Sequence, residues 1–304
     1  VRVRRFEVPL PQPPLAADPE RETAWRAVDA AMIAPHHGLE APTLRPSEAS
    51  AAELEDNAKR QRSKGHFAPG VLHYAGEWYR GVDRLALLEA RLHALGAGSG
   101  HAAPRDDSCE GPFDPSRPVE AFVSIRSPYS AIAMARLAPL EAAGMNIRYR
   151  PVLPMVMRGL PVPRVKRFRI LFDAAREAHS RGVPFGRICD PVGVGIERAM
   201  AVYPLAEAAG NGGEFLRVAS RAAWAEGINL ATDSGLRVVC ERSQVDWSDA
   251  SGALADTGWR TLADQNRADL LALGLWGVPC FHVPDTGFAT WGQDRLWLLA
   301  RELR

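Results

Sequence analysis

The chain has 304 residues, of which 46% are hydrophobic and 24% are charged, and its formal net charge is +1. This is an ordinary globular composition, and the length is sufficient for two domains. The small net charge excludes a global electrostatic attraction to nucleic acid or to an anionic membrane, and no apolar run reaches the roughly 18 residues that a membrane-spanning helix needs.

The chain begins with a short basic and aliphatic segment, V-R-V-R-R-F-E-V-P, at residues 1–9. No apolar core or small-residue cleavage site follows, so this segment predicts a strand rather than a secretion signal. Four cysteines are far apart in the sequence: Cys109, Cys189, Cys240 and Cys280. This spacing contains no C-x-x-C pair and indicates neither a dithiol redox motif nor a zinc site, so we expect reduced thiols in a cytoplasmic protein. His36 and His37 have no cysteine or carboxylate partners nearby, and we expect no metal site there.

The clearest domain boundary is the segment 96–118, which is rich in Gly, Pro and Asp and has no hydrophobic periodicity. Such a composition is typical of a linker. We therefore predict a first domain over residues 1–95, a linker over 96–118 and a second domain over 119–304. The first domain ends in a predicted helix over 86–95, where leucines recur at helical spacing.

The two sides of this linker resemble each other. Segments 68–85 and 278–296 both contain a proline, a strand, a glycine turn, an aromatic residue and then G-x-D-R-L at the start of a helix. Segments 1–9 and 146–154 form a second matching pair in the same order, which indicates an internal duplication. The second copy has a strand and a helix over 119–143 before its matching block. The first copy lacks them, so we expect either that the chain is a fragment or that this half is reduced to scaffold.

The second half alternates strands and helices, with a helical block in the middle. The predicted elements are a strand (119–125), a helix (128–143), a strand (146–152), a helical stretch (165–227), a helix (248–273), a strand (280–283) and a last helix (292–303). This order predicts an α/β fold with an α-helical insertion over about 155–230.

The sharpest local motif is S-P-Y-S at residues 127–130, directly after the first of these strands. Pro128 fits the first turn of a helix, where its missing N–H has no cost, and Ser127 then lies at or next to the N-cap. There its hydroxyl could donate to a thiolate that the helix dipole also favours. The alternative is an ordinary capping serine.

The order of strand, S-P-Y-S, helix, strand, helical insert, V-P-x-F and W-G-Q-D-R-L resembles the 2-hydroxychromene-2-carboxylate isomerases and the kappa-class glutathione transferases, of the DsbA-like thioredoxin-fold proteins. The resemblance covers residues 119–304. It implies a thioredoxin-like fold, in a tandem arrangement with an incomplete first copy, and glutathione as cofactor. It also implies that Ser127 stabilises the glutathione thiolate, and that Val278 and Pro279 form a cis-proline element whose backbone pairs with the bound peptide.

The resemblance assigns three further residues to glutathione. Asp294 would hold the α-amino group of the γ-glutamyl end, Gln293 would hold its carboxylate, and Lys166 would face the glutathione carboxylates. The segment around Lys166 departs from the family pattern by one extra residue after Pro163, and Arg164 is a rival for its role. Asp at a helix start is also a common structural feature, as the equivalent aspartate of the first half shows.

These inferences predict a glutathione-dependent isomerase or transferase that acts on an aromatic or conjugated electrophilic small molecule. A serine hydroxyl cannot replace a redox cysteine, so Ser127 does not support disulfide exchange. The alternatives are a catalytically inactive thioredoxin-fold scaffold or binding protein, and an oxidoreductase whose cysteines lie outside this segment. We expect a small-molecule substrate, no nucleic-acid or membrane partner, and either a pseudo-dimer of the two halves or a homodimer.

Overall fold

The computed structural model describes residues 3–13, 15–16, 18–41, 47–97 and 108–304. The chain divides into two compact units, the first formed by Val1–Asp106 with Pro161–Arg169 and the second by Asp107–Leu160 with Ile170–Arg304. Residues 98–107 of the predicted linker lie outside the described residues. Among the helices that are described, none is long and apolar enough to cross a membrane.

The described part of the first unit contains three α-helices and one hairpin. They are α1 (Pro19–Ile33), α2 (Ala51–Ser63), β1 (Val71–Tyr74), β2 (Glu77–Arg80) and α3 (Leu85–Ala94). The start of α2 is fixed by a capping box, in which Ser50 and Glu53 each accept a hydrogen bond from the other's backbone N–H.

The predicted helix over 86–95 is found as α3, within one residue of its expected ends.

The strand predicted over residues 1–9 is wrong for the part that the structure describes. Residues 3–9 have no strand conformation. The side-chain amide of Asn57 on α2 donates to the Glu7 carbonyl oxygen at 3.0 Å. This backbone oxygen is thus satisfied by a helix side chain and not by a neighbouring strand, which removes the pairing that a strand requires.

The second unit is built on a four-stranded sheet. Its strands are β3 (Val119–Val123), β4 (Ile147–Pro151), β5 (Cys280–Val283) and β6 (Phe288–Trp291). The order is β4-β3-β5-β6, with β3 parallel to β4 and the other two pairs antiparallel. Helix α4 (Pro128–Ala142) connects the two parallel strands. This mixed α/β sheet confirms the predicted fold class and places the end of β3 and the start of β5 beside the N-terminus of α4.

Helices fill the chain between β4 and β5 and follow β6. They are α5 (Arg164–Ser180), α6 (Val194–Ala208), α7 (Gly212–Arg221), α8 (Asp233–Arg242), α9 (Trp247–Ala253), α10 (Trp259–Ala272) and, at the end, α11 (Leu296–Glu302). The single helix predicted over 248–273 is wrong, because the chain turns between α9 and α10. The Asp256 carboxylate accepts the Gly258 N–H at 2.8 Å there, and this local turn competes with the helix.

The hairpins of the two units have the same local design. In each, a 3₁₀ turn and a helix follow the second strand. The glycine after that strand donates its N–H to the residue before the first strand: Gly81 to Gly70, and Gly292 to Pro279, both at 2.9 Å. Gly70 therefore occupies in the first unit the position that Pro279 has in the second. That the two segments arose by duplication stays a hypothesis.

Candidate active site

Ser127 caps the N-terminus of α4. Its Oγ accepts a hydrogen bond from the Ser130 N–H at 3.1 Å, and Pro128 occupies the first helical turn. The same hydroxyl donates to the carbonyl oxygen of Val278 at 3.4 Å. A half-exposed hydroxyl thus lies at the positive end of a 15-residue helix and beside the loop that precedes β5.

The loop before β5 contains a cis peptide bond between Val278 and Pro279. Pro279 is buried and Val278 is half-buried. The preceding residue, Gly277, packs against the indole of Trp291 so closely that a Cβ at position 277 would lie 2.1 Å from a ring carbon. The shape of this loop therefore depends on a glycine at 277 and an aromatic side chain at 291.

Gln293 lies at the centre of a polar network after β6. Its side chain is fully buried, and its Oε1 accepts from Arg136 Nη1 at 2.9 Å while its Nε2 donates to Glu177 Oε2 at 3.0 Å and to Asp294. Arg181 lies 3.2 Å from Glu177 and 3.8 Å from Asp294. Since Gln293 has no exposed surface, its amide holds Asp294 in place, and the half-buried Asp294 is the member that a ligand can reach.

Lys166 belongs to the first unit. Its Nζ donates to the carbonyl oxygen of Leu15 at 2.9 Å, and burial lowers the pKa of its ammonium. The rival Arg164 has its guanidinium 5.3 Å from the centre of the Phe168 ring. The role of Lys166 toward glutathione stays a prediction from the resemblance.

Two other groups near Ser127 in the sequence or in the loop before β5 make contacts that stabilise the fold. Arg126 forms a bidentate pair with Asp190, with N–O distances of 2.8 and 2.7 Å. Cys280 is buried, its Sγ lies 3.1 Å from the Gly277 carbonyl oxygen, and burial raises the pKa of this thiol well above its ordinary value. Neither group is placed to act as the reactive cation or nucleophile of this site.

A cavity of about 570 Å³ lies along one face of α4. Ala131, Ala135 and Ala138 line it from α4, and Phe185 and Trp224 line it from the neighbouring elements. Ala131 lies one helical turn after Ser127, and the Trp224 indole donates to the carbonyl oxygen of Ile125 at 2.8 Å. Five charged residues also line the cavity: Glu214, Arg217, Arg221, Glu226 and Arg242. The cavity thus combines apolar and charged groups, and its volume is that of a small-molecule site.

Sequence patterns did not reveal the cavity or the network around Gln293. Arg136, Glu177 and Arg181 are ordinary charged residues of helices in the sequence, and only the packing of α4 and α5 near the turn after β6 brings them together. The spacing of Glu177 and Arg181, four residues apart, was the one available signal, and it is also typical of an exposed helix pair.

The profile of the DSBA-like thioredoxin domain family matches residues 118–304, which is more than half of the chain. The chain belongs to the DSBA-like thioredoxin domain family. A comparison with curated proteins finds no match. Within the DSBA-like domain, S-P-Y-S at 127–130 contains no sulfur, so no disulfide can form at this helix start.

The chain is also similar to solved structures. A 2-hydroxychromene-2-carboxylate isomerase is 24% identical and covers 61% of this chain and 93% of its own, with a TM-score of 0.52. The cytosolic disulfide reductase DsbM from Pseudomonas aeruginosa, in a structure with GSH, is 21% identical and covers 62% of this chain and 99% of its own, with a TM-score of 0.48. At these identities, the first likeness establishes the DSBA-like fold of the second unit and nothing about its reaction.

Proposed function

We propose that the DSBA-like unit is a glutathione-dependent isomerase or transferase that acts on an aromatic or conjugated electrophilic small molecule. The observation that carries the proposal is the position of the Ser127 hydroxyl, at the N-terminus of α4 and 3.4 Å from the backbone oxygen of Val278. A thiol whose peptide backbone pairs with Val278 would have its sulfur near this hydroxyl and near the positive end of the helix.

Each residue of the site has a separate role in this proposal. Ser127 turns its hydroxyl hydrogen from the Val278 carbonyl to the sulfur, which stabilises the thiolate. Asp294 accepts hydrogen bonds from the α-amino group of the γ-glutamyl end. Gln293, held by Arg136 and Glu177, fixes the position of Asp294 and does not touch the ligand.

Bound glutathione would supply a thiolate that forms a carbon–sulfur bond to the electrophile and leaves when that bond breaks, so an isomerisation involves no net oxidation. The cavity beside α4 is the site that we assign to the electrophile. The alanine and aromatic part of its lining fits a flat apolar ring, and the cavity begins one turn from Ser127. A ring bound there would displace water from beside the hydroxyl, which would strengthen the hydrogen bond between the hydroxyl and the sulfur.

Calorimetric titration with reduced glutathione tests the proposal. We expect binding in the micromolar to millimolar range by the wild-type protein and a loss of at least about tenfold in Asp294→Ala, because the γ-glutamyl ammonium loses a charged partner. Asp83→Ala is the matched control, since Asp83 has the same place in the 3₁₀ turn of the first unit. It should bind glutathione as the wild type does.

A second measurement separates binding from catalysis. If glutathione binds, a screen of conjugated electrophiles should find turnover in the wild type that Ser127→Ala reduces by about a hundredfold, in the range of a lost oxyanion-type donor. No binding at several millimolar glutathione would overturn the proposal and favour a thioredoxin-fold binding protein without catalytic activity.

A further inference from the structure

Arg158 is a cation without a carboxylate partner. It ends the 3₁₀ turn Met155–Arg158 that follows β4, and its side chain is half-buried. Nη2 donates to the carbonyl oxygen of Trp276 at 3.3 Å, while Nε is buried and has no hydrogen-bond partner. Among the described residues no aspartate or glutamate forms an ion pair with it. A buried charge in this condition is costly unless an anion completes the site.

A second guanidinium adds to the positive charge that Arg158 experiences. Burial lowers the pKa of Arg158 to about 10, and the positive charge of Arg267, an exposed residue of α10, contributes to this shift. Arg158 therefore keeps its proton at neutral pH, and its charge is repelled by that of Arg267. Within the part of the chain that is described, Arg267 has no ion pair either. Two positive charges that repel each other favour the binding of an anion.

The position of Arg158 connects this charge to the candidate active site. Its partner Trp276 is two residues before Val278, and the Trp276 indole packs edge-to-face on Trp291 with ring centres 4.7 Å apart. Trp291 in turn packs on Gly277. The guanidinium is thus hydrogen-bonded to the backbone that leads directly into the cis peptide bond.

We propose that Arg158 binds a carboxylate of the ligand held at the Val278–Pro279 loop. This inference rests on the proposed function and extends it. A guanidinium presents two parallel N–H groups that match the two oxygens of a carboxylate. The carboxylate belongs either to glutathione or to the electrophile, and the chemistry of recognition is the same.

Three probes distinguish the two sources. They are reduced glutathione, its glycyl monoethyl ester and benzoate, each titrated against the wild type, Arg158→Gln and Arg158→Lys. If the glutathione carboxylate is bound, Arg158→Gln and the ester each weaken binding by about tenfold, and the two losses do not add. If the electrophile's carboxylate is bound, Arg158→Gln weakens the binding of benzoate and leaves the binding of glutathione and its ester unchanged. Arg158→Lys should lose part of the affinity, because it keeps the charge but not the two-pronged geometry.

The stability of the variants provides a second readout. Removing an unpaired half-buried cation should raise the melting temperature without ligand, whereas removing a purely structural arginine should lower it. Arg148→Gln, at an exposed position of β4, is the charge-matched control and should change neither binding nor melting temperature. If Arg158→Gln does not fold, Arg267→Gln on the surface of α10 should give a smaller loss in the same direction.

The failure of this inference is distinguishable from failure of the proposed function. If glutathione does not bind the wild type, benzoate still reports on the arginines: a rise in melting temperature with benzoate that disappears in Arg158→Gln supports the anion site alone. If the Arg158→Gln protein binds glutathione and benzoate as tightly as the wild type does, the anion site is excluded whether or not glutathione binds.

Discussion

The indole of Trp291 fills the space in which a side chain on residue 277 would lie. A Cβ on Gly277 would be 2.1 Å from one carbon of that ring and 2.6 Å from the next. Real Cβ atoms do not approach other atoms so closely, so any side chain at 277 must displace either the ring or the loop that contains Val278 and Pro279.

Gly277→Ala should therefore cost about 2 kcal/mol of unfolding free energy, which is typical of overpacking, and should weaken glutathione binding because the Val278 backbone moves. Chemical denaturation and calorimetry measure the two effects. Gly252→Ala in α9 is the control, since nothing lies within 4 Å of its added methyl group. It should leave glutathione binding unchanged and raise the unfolding free energy by up to about 1 kcal/mol, because alanine is a better helix former than glycine. An alanine at 277 with wild-type stability would show that the ring moves freely.

Ser127 combines two roles that different substitutions separate. Ser127→Ala removes the cap of α4 and should cost about 1 kcal/mol, whereas Ser127→Asp keeps a capping oxygen and should retain the stability. Both should raise the pKa of the bound glutathione thiol, the first by loss of the hydroxyl donor and the second also by its negative charge. Ultraviolet absorbance of the thiolate against pH gives the pKa. An unchanged thiol pKa in both variants would leave Ser127 only a capping role.

Glu177 is fully buried and lies 3.0 Å from Gln293 Nε2 and 3.2 Å from Arg181 Nε. Glu177→Gln should cost about 3 kcal/mol, because it leaves the mostly buried Arg181 with less compensating negative charge. Glu197→Gln is the matched control, since its pair with Arg260, at 3.5 Å, is exposed, and it should cost less than about 1 kcal/mol. Urea denaturation compares them, and equal losses would contradict a special role for the buried carboxylate.

The four cysteines should differ in their reaction with a thiol reagent under native conditions. Cys109 and Cys189 are partly exposed and should react first, while Cys240 and Cys280 are buried. Burial raises the pKa of Cys240 to about 11. Since the thiolate is the reactive form, the labelling rate of Cys240 should increase as the pH rises toward that value. Mass spectrometry of labelled peptides identifies each site. Fast labelling of Cys280 at neutral pH would show that the loop before β5 opens readily.

Local sequence signals predicted three of the four strands of the second unit and the start of α4, but not the strand β6. Ser127 followed by Pro128 is a strong helix start whatever surrounds it, and the apolar run after Pro279 predicted β5 with its observed ends. The segment 1–9 failed because alternating residues indicate a strand only if a partner strand is present. Here the carbonyl oxygen of Glu7 is bound by Asn57, a residue 50 positions away.

The chemistry of the site was only partly predictable for the same reason. Ser127 and Asp294 lie at helix starts, where a residue type and its neighbours already indicate what the side chain can do. The sequence did not single out Arg158. This arginine is notable because no described carboxylate pairs with it, and that depends on which residues the fold packs around it. Gln293 was assigned to a ligand because sequence does not show burial, and the structure encloses its amide between Arg136 and Glu177.

Helix α4 supports both ends of the proposed glutathione site. Its N-terminus holds Ser127, and Arg136, nine residues later, binds the backbone and side-chain oxygens of Gln293 at 2.6 and 2.9 Å. Nine residues of helix span about 13 Å, a length that thermal motion hardly changes. The helix thus fixes the distance between the proposed position of the sulfur and the residues that would hold the γ-glutamyl end. A free cysteine would be too short to reach both ends at once, and a thiol lengthened by one methylene would place its sulfur beyond Ser127.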